Sequence, residues 1–238
     1  MIIGNDKLNK ILDFEFTAKK LVLKIENQTD YKNKNETGDL KISFKNKNNI
    51  FEYQINENTL DIISKDNNKI FKGLMEFKPF YLVSNFKYQT FRIKDLLNNP
   101  FFIEILKSQA LSNKNLNALI NFDVKNVYDF DRFSDLSLKF KIEEGNYNFS
   151  NSNIIWKENV KVSFLDAFLN FDKEKINLNG RTSFDVKNQD EFFKFFQIKK
   201  DLRKNIGKIE LDFNYDFNEE KITFDNLRID NKLSLIHI

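Results

Sequence analysis

The sequence predicts a mainly β protein, an antiparallel meander accompanied by two amphipathic helices near 95–111 and 188–206. Three observations carry this. Apolar and polar residues alternate in short runs, as where Leu136, Leu138, Phe140 and Ile142 interleave with Ser137, Lys139 and Lys141. Alternation places one set on one face of a strand. The runs recur every 8–12 residues or so with polar turns between them, a rhythm of hairpins and not of βαβ units. Only two stretches switch to helical spacing.

Taken in order, Leu12, Phe14 and Phe16 predict a first strand and Leu21, Leu23 and Ile25 a second. The polar stretch Asn27 to Thr37 reads as a long exposed turn. Leu40, Ile42 and Phe44 give a third strand, Phe51, Tyr53 and Ile55 a fourth, and Leu60 and Ile62 a fifth. Ile70, Phe71, Met75 and Phe77 lead to Pro79, which cannot donate to a ladder and so suits an edge or a strand start. Phe80 to Val83 is apolar on both parities. Within IKDLLNNPFFIEILKSQAL (93–111), Asn99 and Pro100 fit an N-cap and first helical position. Phe102, Leu106 and Ala110 then share a helical face. Strands resume with Leu116, Ala118, Ile120, Phe122 and Val124.

The stretch 136–186 is the most informative. After Glu143-Glu144-Gly145-Asn146, Tyr147 and Phe149 resume the alternation, and Val160, Val162 and Phe164 form the next run. The parity then slips, because Leu165, Ala167, Leu169 and Phe171 are odd-numbered. A slip of one residue turns a strand over, so a bulge or tight turn is expected at Phe164-Leu165. Asp172 to Lys175 turns the chain, and Ile176, Leu178, Phe184 and Val186 follow with Gly180 among them. For the helix at 188–206, Asn188 and Glu191 resemble a capping box and Gly207 suits the position just past the end. Phe192, Phe195, Ile198, Leu202 and Ile206 form its apolar stripe, and Lys199, Lys200, Arg203 and Lys204 crowd its C-terminal end. Cations are favoured there by the helix dipole; a basic amphipathic helix can also lie on a membrane surface. Ile209, Leu211, Phe213, Tyr215 and Phe217 make the cleanest alternation, and Ile222 and Phe224 return after Asn218-Glu219-Glu220.

Composition bounds the function classes. In 238 residues, hydrophobic residues are 41% and charged residues 31%, which suits a folded chain. Phe occurs 27 times, Pro twice and Trp once. Abundant Phe, Lys, Asn and Ile reflect AT-rich codons, which explains the Lys and Asn content without functional selection. The net charge of +3 leaves a weak nucleic-acid footprint, and no nucleic-acid partner is expected. The final residues, Leu233 to Ile238, match the translation of a common transposase adapter, so 233–238 is read as a sequencing artefact. On that reading residues 1–232 are one β-rich domain truncated at both ends, and His237, the single histidine, is not native. The absence of Cys removes disulfides and, with His, the usual zinc and Ser-His-Asp or Cys-His arrangements. No P-loop, GxGxxG or EF-hand loop is present. Acidic pairs such as Glu143-Glu144 and Glu219-Glu220 fall in predicted turns, so no enzyme, cofactor or metal is expected. No run of about 18 apolar residues exists to span a membrane. The opening MIIGNDKLNK lacks the apolar core of a signal peptide, which implies a cytoplasmic chain or a missing N-terminus.

Three pieces carry a family resemblance: FKGLMEFKPFYL (71–82), EEGNYNFSNSNIIWKENVKVSFLDAFLNFDKEKINLNGRTSFDV (143–186) and FFKFFQIKKDLRKNIGKIELDFNY (192–215). In the middle phrase one strand follows another at a set offset and the last ends in Leu178-Asn179-Gly180. Over about 69–230 the chain resembles the AsmA-like periplasmic proteins of alphaproteobacteria. The resemblance implies a long antiparallel sheet curled into an elongated open groove of the lipid-transfer type, apolar inside. It implies binding of phospholipid acyl chains, movement of phospholipid between inner and outer membranes, and a part in outer-membrane assembly. It also implies a periplasmic location and an inner-membrane anchor that this chain does not contain. The residues expected to line one continuous apolar surface are Phe140, Ile142, Phe149, Val162, Phe171, Leu178, Leu211, Phe213 and Tyr215. Such a surface suits a lipid groove and a closed sandwich core equally. A structural envelope protein that binds partners through its sheet edges is the alternative function.

Overall fold

The computed structural model describes residues 2–6, 9–18, 23–30, 36–44, 47–65, 69–92, 114–128, 132–172 and 175–233. The helix expected near 95–111 lies outside them, as does the tail beyond Leu233. The chain falls into two compact units, Met1–Tyr88 with Asn117–Ile120 and Gln89–Leu116 with Asn121–Ile238.

The first unit is an antiparallel meander. Its strands are β1 (Ile2–Asp6), β2 (Asn9–Ala18), β3 (Leu23–Asp30), β4 (Glu36–Phe44), β5 (Lys47–Ile55), β6 (Thr59–Ser64), β7 (Lys69–Phe77) and β8 (Phe80–Phe91). Each pairs with the next in sequence, as period-2 runs joined by short turns require. The first strand escapes the sequence pattern. The turn expected over Asn27–Thr37 is shorter than that stretch, because Asn27 pairs with Leu40 and Asp30 with Thr37. Ladder hydrogen bonds here override the low strand propensity of Asn and Asp. Pro79 occupies the two-residue turn between β7 and β8, where Phe77 faces Phe80 and no ladder donor is needed. Gly73 is buried, and the Phe71 ring lies 2.9 Å from where its Cβ would stand. Phe71 also meets Phe51 edge-on at 5.5 Å and Phe86 at 4.7 Å.

The second unit contains β10 (Phe133–Glu143), β11 (Asn146–Asn148), β12 (Asn153–Trp156), β13 (Val160–Asp172), β14 (Lys175–Val186), β15 (Lys208–Asp216), β16 (Lys221–Ile229) and the short β17 (Lys232–Leu233). β9 (Asn117–Val127) pairs with β10. The registered pairs of this unit are antiparallel. Glu144 (φ 51°) and Gly145 (φ 82°) make the two-residue turn of the β10–β11 hairpin. Both central residues at positive φ match the right-handed twist of the flanking strands.

The bulge expected near Phe164-Leu165 is present. Phe164 faces Thr182 and Asp166 faces Arg181, so Leu165 has no partner and lies 40% exposed. Two further irregularities preserve the face in the same way. Asp135 (φ 47°) and Leu136 stand opposite Ile154, and Asn226 (φ 51°) and Leu227 stand opposite Leu211.

The helix predicted over 188–206 is corrected. It spans only Gln189–Phe195 (α1), followed by a 3₁₀ turn at Lys200–Leu202. Its start is as expected, with the Glu191 N–H donating to Asn188 Oδ1 at 3.2 Å. Its end comes early because Gln197 turns left-handed at φ 52°. The Ile198 N–H then donates to Phe193 O and the Gln197 N–H to Lys194 O. This pairing closes a helix C-terminus with Gln197 in the place usually held by glycine. Gly207, expected in that role, instead opens β15, where its N–H donates to Asp230 Oδ1 at 3.1 Å.

Candidate functional site

Residues directly opposed in an antiparallel ladder present their side chains on the same face. In the second unit this rule builds one apolar face row by row. Ile142 opposes Tyr147, Tyr147 opposes Leu169, Leu169 opposes Leu178, Leu178 opposes Tyr215 and Tyr215 opposes Ile222. The next row runs Ala167, Gly180, Phe213, Phe224, and another runs Phe164, Thr182, Leu211. A further row runs Ile154, Val162, Phe184, Ile209, Ile229. Phe140 lies two residues from Ile142, and its ring stacks on Phe149 at 4.6 Å and on Tyr147 at 5.9 Å. Phe171 opposes Ile176 and meets Tyr147 at 5.1 Å.

All nine residues singled out in the sequence therefore share this face. Their environments differ. Phe140, Ile142 and Phe213 are buried, whereas Phe149, Val162, Phe171, Leu178, Leu211 and Tyr215 are half-buried. Val162 is set apart because it packs against the core formed with α1: Trp156, Val160, Val186, Phe192 and Phe193. Tyr147, Ala167, Leu169 and Ile176 are also buried and were not among the nine. Their signal was their position in the same alternation. Toward β16 the face opens, with Ile222 at 49% and Phe224 at 37% exposure.

Gly180 holds the middle of the face. A Cβ there would stand 1.9 Å from Asp166 O and 2.7 Å from Ala167 Cα. The Leu165 bulge brings the β13 backbone this close, so glycine is required by space.

The opposite face is polar. The rows read Lys141, Asn148, Phe168, Asn179, Asn214, and Asp166, Arg181, Asp212, Asp225. Arg181 Nε donates to Asp212 Oδ1 at 2.9 Å, and Asn226 Nδ2 donates to Asp212 Oδ2 at 2.8 Å. Burial pushes the Asp212 carboxyl up, but these hydrogen bonds and the charges of Arg181 and Arg228 outweigh it and hold the group below its usual value. A surface pocket of 390 Å³ on this side is lined by Lys141, Glu143, Glu144, Asn146, Asn148 and Phe168. Lys141 Nζ sits 2.6 Å from Glu143 Oε2 there. Among the described residues no cluster of His, Cys, Asp or Glu is arranged to hold a metal ion, and no helix is long and apolar enough to cross a membrane.

The four basic residues assigned to a helix end lie beyond α1. Lys199, Lys200 and Lys204 are exposed. Arg203 is half-buried, with Nε donating to Ile198 O at 2.9 Å and its guanidinium 5.7 Å from the centre of the Phe193 ring. It therefore closes the end of α1 as well as contributing charge. No family model, no curated protein and no solved structure matches the chain.

Proposed function

We propose that this chain is a non-enzymatic lipid-binding and lipid-transfer β protein of the periplasm. Its ligands are phospholipid acyl chains, its full-length form is anchored to the inner membrane, and it serves phospholipid transport between membranes and outer-membrane assembly. One observation carries the ligand class. The apolar rows continue from the buried Phe140, Ile142 and Phe213, through the half-buried Leu178, Leu211 and Tyr215, to the exposed Ile222 and Phe224. A surface graded in this way can take up methylenes, each contributing about 0.8 kcal/mol when removed from water. The compartment and transport role rest on the resemblance of 69–230 to AsmA-like proteins.

A scaffolding role is the second reading, favoured by β16. Among the described residues its far side pairs with β17 only at Arg228 and Ile229. A sheet edge with exposed Ile222 and Phe224 is a surface on which another strand can pair.

The test is lipid extraction and mass spectrometry of the protein purified without detergent, beside a Tyr215→Asp variant. Tyr215 is half-buried, so water can reach the new carboxylate and the circular dichroism melt should persist. Phospholipid should co-purify with the parent chain and fall at least several-fold in the variant. A parent chain free of phospholipid would overturn the reading in favour of the scaffold.

A further inference from the structure

Beside α1 the sheet carries a cluster of aromatic rings that is only partly enclosed. Phe195 meets Trp156 edge-on at 4.6 Å, and Phe196 meets Phe195 at 5.0 Å and Phe192 at 4.8 Å. Trp156 and Phe192 are buried, but Phe196 is 56% exposed. Leu202, in the 3₁₀ turn that follows, is 64% exposed. These two are the most exposed large apolar side chains among the described residues of 132–233. Leu202 faces water because Gln197 ends the helix before the stripe can turn it inward.

The cluster is edged by cations. Arg132 lies 4.9 Å from the centre of the Phe195 ring, and Lys157 lies 5.0 Å from the same centre and 5.6 Å from Trp156. Lys199, Lys200 and Lys204 are exposed around Leu202. Residues 187–208 hold seven Lys and Arg against three Asp and Glu, a balance of +4 where the whole chain carries +3. The excess positive charge of the protein is thus concentrated in this segment. Of the three acids, Asp190 and Glu191 sit in the first turn of α1 and Asp201 lies among the lysines, so Lys199, Lys200, Asp201, Arg203 and Lys204 leave a net +3 at the corner.

We propose that this corner, Phe196 and Leu202 with Lys199, Lys200 and Lys204, docks the protein onto the surface of an anionic lipid bilayer. Apolar side chains of this size enter the headgroup–acyl boundary, while the lysines remain at the level of the phosphates. The charge selects anionic over zwitterionic lipid, and the two apolar side chains give the contact its resistance to salt. Aromatic rings tied to flanking cations hold the edge of the cluster in place, so little order has to be gained on docking. The corner would serve a lipid carrier or a scaffold alike, so it does not rest on the acyl-chain reading of the sheet.

The test is flotation of the full chain with vesicles of phosphatidylcholine alone or with about one third phosphatidylglycerol, at low and high salt. The parent chain should bind the phosphatidylglycerol vesicles at least tenfold more tightly at low salt. Lys199→Glu with Lys200→Glu should abolish that preference, since each lysine near an anionic surface changes partitioning about fivefold. Phe196→Ser with Leu202→Ser should lower binding about tenfold and remove what persists at high salt. All four positions are exposed, and circular dichroism should show an unchanged fold. Tyr215→Asp should bind vesicles as the parent does, which separates this proposal from the one above. Equal binding to both vesicle types would overturn it. So would a Phe196→Ser, Leu202→Ser protein that floats like the parent, because the patch would then attract anions without entering a bilayer.

Discussion

The same apolar face of the second unit ends in two different ways. Near α1, its outermost residues Trp156, Val160 and Val186 are closed over by Phe192 and Phe193. At β16, Ile222 and Phe224 face the same side of the sheet with about half and about a third of their surface in water. Strand alternation is equally regular at both ends, so the pattern that makes the face does not decide what covers it. The cover depends on a seven-residue helix that is too short to persist alone and is held by the rings it buries. At one end the face is closed by the chain's own helix, and at the other the face itself is left partly open.

The comparison is sharpest when one side chain is truncated at each end. Phe193→Ala should cost about 3 kcal/mol, since it removes a buried ring and leaves a cavity between α1 and the sheet. Ile222→Ala should change stability by less than about 0.5 kcal/mol, because the side chain is half in water already. Urea unfolding of both variants checks this, and equal losses would mean that the β16 end is as enclosed as the other.

Between the two ends lies the Leu165 bulge. Gly180→Ala should destabilise by about 2 kcal/mol, as the new methyl must push against Asp166 O and the β13 backbone. The loss should appear as a lower urea midpoint with an unchanged slope. A neutral substitution would show that the strands part easily here, and that the face can widen at its middle.

Much of this architecture was legible from residue order alone. The parity slip at Phe164-Leu165 pointed to a bulge or a tight turn, and the ladder resolves it as a bulge that keeps the apolar face unbroken. The bulges at Asp135 and Asn226 were not legible, since Asp and Asn adopt positive φ without leaving an apolar signature. β12 was missed because it has four residues, too few to show a period. The long second helix was over-read for a physical reason. Ile198, Leu202 and Ile206 continue the helical spacing, but Ile198 and Ile206 reach the same core from an irregular chain. Gln189 holds that chain in place: its Nε2 donates to Asn205 Oδ1 and its Oε1 accepts from the Ile206 N–H. Spacing reports which residues are buried, not the backbone that brings them there. The nine face residues lie on one side of the sheet, but their unequal exposure depends on what lies above each row, which alternation does not encode.

The polar side of the same strands supplies a smaller effect than either buried substitution. Asp212 is held below its ordinary value, so its carboxylate favours the folded state. A depressed folded-state value gives stability that is fully present above the unfolded value, near 4, and is lost as the pH falls through the folded one. Asp212→Asn removes this dependence. It should therefore lower stability at neutral pH by a few tenths to about 1 kcal/mol, and the difference from the parent should shrink in acid. Melting temperatures between about pH 7 and pH 2.5 would show two curves that converge on the acid side. Because Arg181 and Asn226 approach Asp212 from different strands, the change loosens both the β14–β15 and the β15–β16 pairing on the polar side. It leaves Leu211 and Phe213 on the other face untouched. If Asp212→Asn also altered phospholipid recovery, the two faces would be coupled through β15, and the division between a covered and a partly open end would have to include the polar side as well.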